Sequence, residues 1–123
     1  MSSDISRLPP QVQERLLRLQ QLQQTLQSVM AQKQQVDSEQ TEVEQTLAEL
    51  QKTPDDSVIY KAIGSLLVRA EKGKVAADLT ERKELLVTRT TVLARQEERL
   101  RSQVKEVQTK LQEDLNPVSP PSQ

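Results

Sequence analysis

Two long stretches of this chain carry apolar residues at heptad spacing. With Val12 at position a, the a positions of the first stretch are Val12, Leu19, Leu26, Lys33, Gln40 and Leu47. Its d positions are Arg15, Leu22, Val29, Val36, Val43 and Leu50. Nine of these twelve are apolar, and neither glycine nor proline interrupts Gln11 to Lys52. The pattern predicts a helix packed along one stripe. Lys33 and Gln40 are successive polar a residues, read either as register markers or as local tolerance in an exposed seam. The second stretch, Val75 to Leu115, repeats Leu79, Leu86, Leu93, Leu100 and Val107 at d, against Ala76, Lys83, Thr90, Glu97, Val104 and Leu111 at a. This seam is tight towards its C-terminal end and weak in the middle.

Prolines and glycines punctuate the two windows. Pro9-Pro10 precedes the first, at the position where a missing N–H is harmless. Thr53-Pro54 closes it, because the residue before proline is pushed out of the helical region. Asn116-Pro117 stops the second. Between the windows, Val58-Ile59-Tyr60 is a β-branched and aromatic cluster that favours strand. Gly64-Ser65 separates two apolar runs and suits a tight type II′ turn. The expectation is a hairpin of roughly 58–63 and 66–70, closed by a turn at Lys72-Gly73-Lys74.

Five segments follow: a frayed start over 1–10, a coiled-coil helix over 11–52, a hairpin segment over 53–74, a second helix over 75–115 and a disordered tail over 116–123. The fold class is mainly α. Two helices of nearly equal length joined by a compact insert should close as a long antiparallel two-helix coiled coil, with the single β-hairpin at the connecting end. The hairpin is apolar on both faces and presents two open edges. A two-helix coil cannot cover all of it, so hairpins of several subunits are expected to join in an intersubunit β-barrel. The plainer alternative is a hairpin folded back as a cap on its own coil. Where the termini meet, Leu16, Leu17 and Leu115 lie outside the seam and suggest an apolar contact surface.

Composition narrows the chemistry. The chain of 123 residues is 34% hydrophobic, 1% aromatic and 28% charged, with a net charge of −1. That suits extended helices with a narrow seam better than a globular core. There is no cysteine and no histidine, which removes disulfides, thiolate metal sites and the usual acid–base at neutral pH. No catalytic, metal or cofactor residue is assigned: Gly73-Lys74 has Val68 where a phosphate-binding loop needs glycine, and Asp55-Asp56 reads as turn chemistry. An enzyme is not expected, nor any cofactor. No basic block suggests nucleic acid, no apolar run spans a membrane, and the start lacks a signal peptide, so the chain reads as soluble and cytoplasmic.

The central Pro54-Asp55-Asp56, Val58-Ile59-Tyr60-Lys61-Ala62-Ile63-Gly64 and Leu66-Leu67-Val68 resemble the β-class subunits of the prefoldin family. So do Pro9-Pro10-Gln11-Val12-Gln13 and Arg95-Gln96-Glu97-Glu98-Arg99-Leu100. The similarity runs from about 9 to 115, and a single hairpin fits the β class, the α class carrying two. Gly73 departs from the pattern. The resemblance implies a heterohexamer of two α-class and four β-class subunits, with hairpins forming a double β-barrel and six coiled coils around a cavity. It implies ATP-independent capture of non-native polypeptides at the distal tips and their delivery to a group II chaperonin. Carried onto this chain, the oligomerisation residues are Val58, Ile59, Tyr60, Ile63, Gly64, Leu66, Leu67 and Val68. The client-facing tip is Val12, Leu16, Leu17, Leu19, Leu111 and Leu115. The competing function is a passive coiled-coil scaffold or tether that binds no client.

Overall fold

The computed structural model describes residues 7–116. The expectations for residues 1–6 and 117–123 lie outside that range. Four elements follow in order: α1 (Pro10–Lys52), β1 (Ile59–Ile63), β2 (Leu66–Ala70) and α2 (Lys72–Leu115). The architecture is mainly helical, two long helices with a two-stranded antiparallel hairpin between them.

Helix α1 begins where the sequence indicates. Pro10 is the first helical residue, and the Pro9 carbonyl accepts from the amides of Val12 and Gln13 at 3.0 and 3.1 Å. At the other end Lys52 sits in the last turn, where the helix dipole favours a cation. The Thr53 amide donates to the Leu50 carbonyl at 3.1 Å, a tightening turn ahead of Pro54.

The chain divides into two compact units. One combines α1 up to Gln32 with α2 from Leu93; the other is Lys33–Val92. In the first unit Val12, Leu22, Val29, Leu93 and Leu111 are buried. Arg15 forms an ion pair with Asp114, and the Arg101 guanidinium meets the Met30 sulfur at 3.5 Å. Rising numbers on one helix thus face falling numbers on the other, which makes the pairing antiparallel. Arg15, the polar d residue of the first heptad, is therefore matched by a carboxylate across the seam. Both side chains remain partly solvated, so the pair contributes within about 1 kcal/mol.

In the second unit Val36, Leu50 and Leu86 are buried. The helices are again antiparallel: Thr90 Oγ1 lies 3.4 Å from Asp37 Oδ1, Arg82 reaches Glu39 at 2.6 Å, and Lys83 reaches Glu44 at 3.7 Å. The weak middle of the second seam is thus flanked by polar links. Gln40 donates to Glu44 on its own helix at 3.2 Å. It spans no gap across the coil, which favours local tolerance over register marking at that position.

One boundary differs from expectation. Lys72-Gly73-Lys74 is the first turn of α2 and does not form a separate turn. The Val75 amide donates to the Glu71 carbonyl at 3.0 Å, so Glu71 stands at the cap position. Gly73 has no positive φ; only Gly64 does, at 59°. Glycine lowers helix propensity by about 1 kcal/mol relative to alanine, and here that cost falls where the helix is already anchored at Lys72.

The burial pattern gives a direct test. Leu93 is 2% exposed, whereas Leu85 on the same helix is 60% exposed. Leu93→Ala should cost about 2–5 kcal/mol through lost burial and a residual cavity, and Leu85→Ala less than about 0.5 kcal/mol. Urea unfolding followed by helical circular dichroism measures both.

Candidate interaction surfaces

The hairpin lies wholly within the Lys33–Val92 unit. Its register pairs Ile59 with Ala70, Tyr60 with Arg69, Lys61 with Val68, Ala62 with Leu67 and Ile63 with Leu66. Side chains alternate across a strand. One face therefore carries Ile59, Lys61, Ile63, Leu66, Val68 and Ala70, and the other Tyr60, Ala62, Leu67 and Arg69. Gly64 supplies the left-handed conformation needed at the first central turn position, as the glycine-first pair suggests. Open space surrounds the position where its Cβ would stand, so glycine is required there by backbone conformation and not by crowding.

Both faces are open. Val58, Tyr60, Ile63, Gly64, Leu66, Leu67 and Val68 are exposed, Leu67 to 73%, and only Ile59 among the expected oligomerisation residues is half-buried. Val58 lies just ahead of β1. The sheet has two strands, so each strand has a backbone edge without a ladder partner. An exposed, largely apolar hairpin bordered by open edges is a candidate interaction surface.

A polar clasp closes the base of the hairpin. The Lys72 ammonium, at the start of α2, donates to the Thr53 carbonyl at 2.6 Å and to Asp55 Oδ1 at 2.8 Å. It thereby joins the residue just past α1 to the start of α2, placing positive charge beside the C-terminus of α1. The turn Pro54-Asp55-Asp56-Ser57 is fixed by the Ser57 amide donating to the Pro54 carbonyl at 3.0 Å. Asp55-Asp56 is turn chemistry, as its place after proline implies. The sequence alone did not reveal Lys72 as the partner of Asp55; the only hint was a cation directly after the strand pair.

The second surface lies in the unit that pairs α1 up to Gln32 with α2 from Leu93. Here the expected tip residues separate. Val12 and Leu111 are buried in the seam, while Leu16 and Leu19 are half-buried. Leu17 and Leu115 stand free, at 59% and 57% exposure. Heptad position explains the split: Val12 and Leu111 are a residues that each helix needs for its partner. Leu17 and Leu115, off the seam, are the expected tip residues that remain exposed. Among the described residues no cluster of three or more acidic side chains is placed to hold a metal ion. Among the same residues no helix is long and apolar enough to cross a membrane.

Two long helices with antiparallel pairing in each unit, and a largely exposed apolar hairpin between them, describe a coiled-coil subunit. The chain belongs to the prefoldin subunit family, whose sequence pattern matches residues 13–117. It is 49% identical to prefoldin subunit beta of Archaeoglobus fulgidus over 110 residues, 89% of this chain and 95% of that protein. It is 43% identical to prefoldin subunit beta of Methanothrix thermoacetophila, covering 92% and 94% of the two chains. The crystal structure of the prefoldin beta subunit from Thermococcus strain KS-1 superposes with a TM-score of 0.81 at 42% identity, over 94% of this chain and 98% of that one. The family is one of non-enzymatic chaperones whose subunits form hetero-oligomers with other prefoldin subunits.

The clasp has a pH signature. The hydrogen bond from Lys72, and then its positive charge, hold the Asp55 carboxyl below its ordinary value of 3.8. A depressed carboxyl contributes stability that is fully present above the unfolded-state value and is lost as pH falls through the lower folded value. Asp55→Asn should therefore lower the melting temperature slightly at neutral pH. The deficit should shrink as the buffer is taken below 3.8, which paired thermal melts across acid pH would measure.

Proposed function

We propose that this chain is the β-class subunit of an ATP-independent holdase. Its hairpin joins the hairpins of other prefoldin subunits in a shared β-barrel, in an assembly of two α-class and four β-class subunits. The observation that carries this reading is the hairpin itself, whose two apolar faces and two open edges are uncovered by the chain that makes them. Assembly satisfies those edges and brings several copies of the same chain together.

Client capture falls to the off-seam leucines near the ends of the helices. Leu17 and Leu115 provide exposed apolar surface, Leu16 beside Leu17 extends it, and the half-buried seam residue Leu19 borders it. Each such surface is small, so one copy binds weakly. Several copies on one assembly raise the effective concentration of the second and later contacts, which gives retention without tight binding at any one surface. An unfolded polypeptide, rich in exposed apolar side chains, is the matching ligand. Release to a group II chaperonin requires only that individual contacts remain weak. No residue is assigned to catalysis, and no nucleotide or metal has a part in the cycle.

The test is aggregation of a chemically denatured client, without ATP, in the presence of the chain assembled with an α-class prefoldin subunit. Wild-type complex should suppress light scattering. Leu17→Ser combined with Leu115→Ser should leave the complex assembled while cutting suppression by at least about twofold, given contacts that act multiplicatively. A double variant that assembles and protects as well as wild type would overturn the assignment of the client surface. Wild-type complex with no effect on aggregation would point to a passive scaffold.

A further inference from the structure

A hairpin that other strands must cover also indicates which strands fit. Between Ile59 and Ala70 the charged residues are Lys61 and Arg69, both cations, with no Asp or Glu among them. The register places them on opposite faces: Lys61 beside Ile63, Leu66 and Val68, and Arg69 beside Tyr60, Ala62 and Leu67. Both are exposed. Among the described residues neither takes part in an ion pair, and the flanking Asp55 is held by Lys72.

Closing such strands into a barrel turns one face inward. Whichever face that is, each copy of this hairpin brings one cation and no anion. An enclosed ion without a partner is strongly unfavourable. Direct self-pairing along β1 is no better. The antiparallel register that overlaps all of Ile59–Ile63 with a second copy is centred on Lys61, so Lys61 would face Lys61. The in-register parallel arrangement sets the same residues side by side. Like charges directly opposed destabilise a strand pair, and an edge-strand lysine is a recognised means of blocking indiscriminate pairing.

We infer that the hairpin accepts strands from a different chain that present Asp or Glu towards Lys61 and Arg69, and that these two cations discriminate against a second copy of this chain. The inference rests on the assembly role proposed above for the hairpin. The occupant is an apolar, acid-bearing strand pair: its apolar side chains match Tyr60, Leu66 and Leu67, and its carboxylates neutralise the cation on each face.

A charge-reversed copy of the same chain serves as the probe. Lys61→Glu with Arg69→Glu should fold normally, since both positions are exposed, and helical circular dichroism verifies that. In sedimentation velocity at low salt, wild type alone and the reversed copy alone should associate weakly. Their mixture should associate at least about tenfold more tightly, and about 1 M NaCl should narrow the gap, because opposite charges now meet across strands. Equal association of wild type alone and the mixture would overturn the inference, as would a mixture that does not associate. Adding Leu67→Asp to both chains separates the two levels of the argument. Association abolished by Leu67→Asp but indifferent to charge overturns only the discrimination by Lys61 and Arg69. Association that survives Leu67→Asp does not run through the hairpin, and counts against the assembly reading itself.

Discussion

A two-stranded sheet leaves one backbone edge of each strand without a partner, and a short hairpin is marginal in water on its own. Here the deficit is compounded, because both faces are apolar as well as both edges being open. The strands gain little from burial within their own chain, where only Ile59 and Ala70 are half-buried. Strands of other subunits, as proposed, would meet that deficit by pairing with the open edges. Gly64 secures a turn tight enough to keep β1 and β2 in register, and the Lys72 clasp fixes where the pair leaves the helices.

The helices obey the opposite logic. Within each compact unit they bury their seam residues against one another and leave no buried side-chain nitrogen or oxygen without a hydrogen-bond partner among the described residues. A closed seam needs no further partner, so the apolar residues that remain outside it stand out as surplus. Leu17 and Leu115 are of this kind. The division of labour is therefore written in heptad position: a and d residues hold the coil, and apolar residues elsewhere are available to other molecules. Membership of the prefoldin family, whose subunits are chaperones that work in hetero-oligomers, fits that division.

Much of this was legible in the sequence because the signals were periodic. A seven-residue repeat without glycine or proline admits few readings, and the structure buries or half-buries every a and d position named for α1, down to the polar Lys33 and Gln40. The hairpin was legible for a different reason: strand formers flank a glycine-led pair at the spacing a two-residue turn demands. What escaped depended on neighbours distant in sequence. Lys72-Gly73-Lys74 looked like a turn, yet Lys72 is anchored to Thr53 and Asp55 and the helix starts there. The sequence shows Arg15 only as a polar d residue, and its partner Asp114 is 99 residues away on the facing helix. The resemblance places Val12 and Leu111 at the client-facing tip beside the exposed leucines, and the structure buries both in the seam, where their a positions put them. Periodicity identifies a face; it does not say which partner on the facing element completes it.

The central claim is that the open edges of β1 and β2 are filled by strands of other subunits. Amide hydrogen exchange over residues 58–70 tests it most directly, comparing the isolated chain with the same chain assembled with an α-class prefoldin subunit. Free edges exchange quickly, and edges taken into a larger ladder are protected. The expected result is fast exchange across this segment in the isolated chain and pronounced protection in the assembly, with little change at the seam residues around Leu22 and Leu93. Equal, fast exchange of the hairpin in both states would contradict the claim.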